Sequence, residues 1–225
     1  ALMNKMGLNN VPIIMAGGVW HIEDWEHWLD NPEIGPISFQ FGTRPLLTKE
    51  SPISDAWKEK LLTLKKGDVF LNKFSPTGFY SSAVRNDFIK ELQGRSERQV
   101  TFFNEPVDDH IAAFSMGPRK RDIYLTAVDK ESAEKWVAQG YTSVLKTPSD
   151  TMIFVTPEKM KEIRKDQVDC MGCLSQCSFS NWADNETGNN GRKADPRSFC
   201  IQKTLQDVIH SATNVDNNLM FAGHG

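Results

Sequence analysis

No stretch of this 225-residue chain approaches the ~20 consecutive apolar residues that a membrane-spanning helix needs, and none reads as a signal peptide. Surplus positive charge is missing too. Lys and Arg number 26 against 29 Asp and Glu, a formal net charge of −3, and the pI is near 6.0. That balance gives no electrostatic case for nucleic acid or an anionic membrane. Cysteine is scarce, with four residues of which three are clustered. That pattern suits metal or redox chemistry better than a disulfide framework. Cytoplasm is the expected compartment. What is present, 39% hydrophobic and 24% charged residues at a mean hydropathy of −0.45, describes a soluble globular chain. Its length suffices for one or two domains with a sizeable core.

The most informative stretch is the first forty-odd residues. Val11 to Val19 and Ile37 to Arg44 each begin as a short apolar, β-branched run and reach glycine at the strand end (Gly17-Gly18 and Gly42). About a dozen residues of helical character separate them. This is strand, glycine turn, helix, strand, glycine turn, the pattern of a parallel α/β unit. Glycines at strand ends let backbone N–H groups converge on an anion with no Cβ in the way. Two such turns on adjacent parallel strands make one phosphate cradle, as the loops after strands seven and eight of a (β/α)8 barrel often do.

Met15-Ala16-Gly17-Gly18-Val19 and Phe39-Gln40-Phe41-Gly42-Thr43-Arg44 resemble the last two strands of the nitronate monooxygenase (2-nitropropane dioxygenase) family. Ser75-Pro76-Thr77-Gly78 leading to Val84-Arg85-Asn86-Asp87-Phe88, then Cys200-Ile201 and Asn218 to Gly223, resemble the same family in the same order. The resemblance implies an FMN-dependent enzyme that oxidises alkyl nitronates with dioxygen. It makes Ala16, Gly17, Gly18, Gly42 and Thr43 the expected binding residues for the FMN phosphate. It also implies that about six βα units precede this chain, so that the catalytic base lies outside it and the remaining barrel half is supplied by a longer protein. One departure stands out: Phe79-Tyr80-Ser81-Ser82 sits where the family usually has small residues and an arginine.

The expected fold is therefore α/β: the C-terminal portion of a (β/α)8 barrel in residues 1–98, a small α+β subdomain in 99–160, and a cysteine-containing helical extension in 161–225. In chain order, helical spacing is expected over His21–Leu29, with His21 a pocket candidate at the rim and His27 a solvated neighbour. A helix starts at Ser51-Pro52 and reaches Leu64, a strand spans 69–74, and a helix runs from about Ser81 to Gln93. Arg85 and Asn86 are expected to be structural. Strand-like 121–128, a helix capped by Asp129, strands 142–146 and 151–155 around the turn Pro148-Ser149-Asp150, and a helix opened by Pro157 complete the subdomain. The basic loop Met116–Arg121 reads as solvated surface. Residues 178–197 read as a polar loop before a helix over 197–212, and Leu219–Gly223 as a segment returning to the cofactor pocket, with His224 beyond it.

Cys170, Cys173 and Cys177, with Cys200 further on, can point thiolates at one centre. The run resembles the iron–sulfur segment of the old-yellow-enzyme-like dienoyl-CoA reductases, with a longer interval to the fourth cysteine. An iron–sulfur cluster, zinc, reduced thiols and disulfides all stay open. Function is expected in the flavin oxidoreductases, on a small-molecule substrate with dioxygen. An NAD(P)H-dependent FMN enoyl reductase is the alternative. A non-catalytic accessory protein built on a truncated barrel is the reading of another class. An oligomer is compatible with each.

Overall fold

The computed structural model describes residues 2–8, 11–117, 121–180 and 193–223. After a short helix α1 (Leu2–Lys5), strands β1 (Ile13–Ala16) and β2 (Ile37–Gln40) pair in parallel, Ile13 opposite Ile37 and Ala16 opposite Gln40. The segment between them is a 3-10 helix over Glu23–Trp28 rather than an α-helix, with Trp25 and Trp28 edge to face at 5.4 Å. Both glycine turns therefore lie side by side, at the carboxyl ends of parallel strands.

Helix α2 (Asp55–Leu62) begins later than Ser51-Pro52 suggests, because the Ser54 hydroxyl accepts the Trp57 N–H and is the true cap. Strand β3 (Val69–Asn72) then turns through Gly78 into β4 (Ser81–Val84), its antiparallel partner. The helix expected from Ser81 is thus corrected. Helix α3 (Asp87–Glu97) starts only where the Asn86 side chain caps it by accepting the Ile89 N–H. Asn86 also donates from Nδ2 to the Val215 and Asn218 carbonyls, each at 2.7 Å, tying α3 to the end of the chain. Its structural role holds.

Strands β5 (Gln99–Thr101), β8 (Ser143–Lys146) and β9 (Thr151–Val155) form a sheet in the order β5-β9-β8, all pairs antiparallel. Beside it stand the hairpin β6 (Ala112–Met116) with β7 (Arg121–Leu125), and helices α4 (Ala127–Ala138) and α5 (Pro157–Val168). The cap of α4 is Thr126, which accepts the Asp129 N–H at 3.1 Å, not Asp129. Central strand β9 shows the period of two: Met152 and Phe154 enter a core with Phe114, Leu125 and Ala133, while Ile153 and Val155 enter one with Ile163, Cys177 and Phe179. Helix α6 (Ile201–His210) follows, and the chain returns to bridge Phe221 with Ala83.

Among the described residues the strands form no closed barrel; the fold is mixed α/β, in four small sheets. Burial is uneven. Among the described residues before Leu61 the buried apolar side chains number one, Val19, and Ile14 of β1 stays 62% exposed.

Candidate functional site

A cavity of about 520 Å³ opens at the carboxyl ends of β1 and β2, and both glycine turns line it. Ala16, Gly17 and Gly18 come from the first turn, Gly42 and Thr43 from the second, so tertiary structure brings together all five residues that sequence reasoning singled out. Gly17 and Gly18 hold φ at +86° and +69°, the left-handed region that favours glycine. A Cβ built on Gly17 or on Gly42 meets nothing within 4 Å. These backbones border open space that a side chain would enter.

The returning end of the chain closes one wall. Gly223 donates its N–H to the Thr43 hydroxyl at 2.9 Å, which spans 180 positions of sequence. Arg44 does not point away. Its Nη1 donates to the Trp20 carbonyl, and its guanidinium lies over the Trp20 and Phe41 rings at 5.8 and 5.9 Å.

Lys65 and Lys66 also line the cavity, and among the described residues no carboxylate does. None of Arg44, Lys65 and Lys66 has an ion-pair partner among the described residues. Three cations facing one open volume with no acid create a positive potential suited to a dianion. Sequence reading assigned neither lysine a role. A basic pair before a glycine was the available signal, but nothing in the sequence said which loop it would face. His21 is not among the cavity's lining residues; it faces Glu23 at 3.9 Å on the surface.

The four cysteines gather between the end of α5 and the start of α6. Cys177 is buried, Cys200 packs against its cluster, and Cys173 is exposed. The Gln202 side chain contacts the Met171 sulfur at 3.3 Å, joining the loop to α6. All four are free thiols. Burial, reinforced by neighbouring cysteines, pushes the Cys173 and Cys177 thiols above the ordinary range. No group of three or more His, Cys, Asp or Glu among the described residues could hold a metal ion. Of the alternatives left open for Cys170, Cys173, Cys177 and Cys200, an iron–sulfur or zinc centre finds no support among the described residues, where all four are free thiols. Nearness in the fold does not make the sulfurs converge at metal distance.

Pro118, Arg119 and Lys120 of the basic loop, most of the polar loop (181–192) and His224 lie outside the described residues. No described helix is long and apolar enough to cross a membrane.

A second cavity, of about 240 Å³, lies between α3, α5 and α6. Its three cations are paired: Arg95 with Glu91, Lys159 with Glu162 at 2.7 Å and Lys203 with Asp166 at 2.9 Å.

No curated protein and no solved structure matches the chain. The family model described as "Nitronate monooxygenase" matches residues 2–171, which include both glycine turns and the Lys65–Asp68 turn. The chain belongs to the nitronate monooxygenase family.

Proposed function

We propose that this chain forms the phosphate end of an FMN site in an oxidoreductase that oxidises alkyl nitronates with dioxygen. The observation that carries the reading is the cavity at the carboxyl ends of two parallel strands, lined among the described residues by glycine backbone and three unpaired cations and by no carboxylate. Phosphate groups bind where backbone N–H groups and positive charge face an opening that no Cβ fills. Ala16, Gly17, Gly18 and Gly42 would hold the phosphate through backbone groups. Thr43 would add its hydroxyl, and Arg44 would supply charge from its place against Trp20. When bound, FMN supplies the redox chemistry, and the protein orients it and excludes competing reactions.

The parallel β1–β2 pair belongs, in this reading, to a (β/α)8 barrel whose further strands are expected in the full-length protein. Parallel sheets are ordinarily covered on both faces, yet Ile14 on β1 is 62% exposed. The catalytic base is expected on those further elements.

The test is an absorption spectrum of the full-length protein after gel filtration, followed by oxygen uptake with an alkyl nitronate. Retained flavin absorption with nitronate-dependent oxygen uptake is the expected result. Flavin reduced by NADPH and reoxidised by a crotonyl thioester, with no response to nitronate, would move the activity to the enoyl reductases. A colourless protein that does not take up added FMN would overturn the cofactor role.

A further inference from the structure

We propose that Lys65 and Lys66 form a third wall of the phosphate cradle and bind the phosphate monoester of FMN directly. This rests on the FMN reading above and assigns two residues that the paired glycine turns do not include.

The turn that carries them is built, not loose. Asp68 donates its N–H to the Lys65 carbonyl at 3.0 Å, and its carboxylate accepts the Lys65 N–H at 2.8 Å. The Asp68 carbonyl in turn accepts the Arg85 N–H at 2.7 Å, anchoring the turn beside β4. Gly67 holds φ at +100°, a conformation that an L side chain rarely adopts. On the other flank, Leu61 and Leu64 pack with Met220 and Ala222. The two lysines thus leave a fixed frame at the edge of the same cavity that Gly17, Gly42 and Gly223 line.

Their charge is not cancelled locally. Asp68 is the nearest acid in sequence, but its carboxylate is engaged by a backbone N–H and is not part of the cavity lining. Both lysines are exposed and carry no ion pair among the described residues, so the packing of the fold does not depend on their charge. A phosphate monoester carries close to two negative charges at neutral pH. Arg44, held against the Trp20 carbonyl, supplies one positive charge, and the lysines supply the rest. Riboflavin, which lacks the phosphate, gains nothing from them.

The experiment uses the full-length protein freed of flavin and titrated with FMN and with riboflavin, reading quenching of flavin fluorescence. The unaltered protein is expected to bind FMN on the order of 100-fold more tightly than riboflavin, with the preference shrinking as salt is raised. The double variant Lys65→Gln, Lys66→Gln should lose about tenfold in FMN affinity and little in riboflavin affinity. Lys65→Arg, Lys66→Arg should keep most of the preference. The urea midpoint should be the same in all three, since the side chains are exposed. Equal losses for both flavins, or an unchanged FMN affinity in the double glutamine variant, would overturn the assignment while leaving the glycine cradle standing. No preference for FMN in the unaltered protein would overturn the cradle and the lysine assignment together.

Discussion

Two cavities in one chain carry similar residue types and opposite arrangements. Between α3, α5 and α6, Arg95, Lys159 and Lys203 each meet a carboxylate, so their charges are balanced within the fold. At the ends of β1 and β2, Arg44, Lys65 and Lys66 face the opening with no carboxylate in the lining among the described residues. Pairing marks charges that hold helices together, and unpaired like charges around an opening mark a place for a counter-ion. The surrounding packing agrees. Buried apolar residues crowd the α3–α6 half, whereas the strand pair that shapes the basic cavity buries almost nothing. One region is held by its own contacts, and the other presents unpaired charge to an opening.

That contrast can be broken most forcefully at Arg95. Its side chain is buried, pairs with Glu91 and donates from Nη1 to the Pro196 and Ser198 carbonyls. Arg95→Met should cost about 3 kcal/mol of stability, because Glu91 and two carbonyls lose their partner. Urea unfolding of the full-length protein measures this, and FMN affinity per folded molecule should not change. At the basic cavity the order reverses. Gly42→Val puts a side chain into open cavity space and should lower FMN affinity on the order of 100-fold, about 2.7 kcal/mol, at a nearly unchanged urea midpoint. Gly18→Val should do the same with some added backbone strain, since Gly18 sits at φ +69°. Stoichiometric flavin retained by both valine variants would refute the cradle. Arg44→Gln is a milder probe, expected to weaken FMN binding about tenfold and to flatten its salt dependence.

The smallest effect concerns the thiols, which lie on the packed side. Burial comes first among the causes that raise Cys177, and neighbouring cysteines add to it; the same two causes raise Cys173. Both should be protonated and slow to alkylate at neutral pH, with exposed Cys173 reacting before buried Cys177. The folded state then holds these protons more tightly than the unfolded chain, so stability should fall as pH rises through the ordinary thiol range. Mass mapping of alkylated cysteines across pH checks the order. Stoichiometric iron or zinc in the same sample would reverse the assignment of these residues as free thiols.

Much of the site was legible because its signal is local. A β-branched run followed by glycine specifies strand and turn from neighbouring residues alone, and Ala16, Gly17, Gly18, Gly42 and Thr43 all arrived at the cavity. Strands β8 and β9 were legible for the same reason, through a turn at Pro148-Ser149-Asp150. The region after Gly78 misled because Val84, Phe88 and Leu92 recur at helical spacing and draw the helix start back towards Ser81. Pairing with β3 and burial of Ala83 and Val84 decided for strand. The caps at Ser54 and Thr126 were displaced because several hydroxyls and carboxylates compete within a few residues, and side-chain geometry selects one of them.

The sequence alone determined the parallel strand pair, the two glycine turns that follow it and the family. These rest on short-range sterics and on residue types that act within a turn. Tertiary structure alone decided that Lys65, Lys66 and Gly223 line the same cavity as the glycine turns and that Arg44 folds back on Trp20. Each of those outcomes depends on chain segments meeting across long intervals, where the free energy belongs to packing and charge compensation and no local pattern encodes the partner.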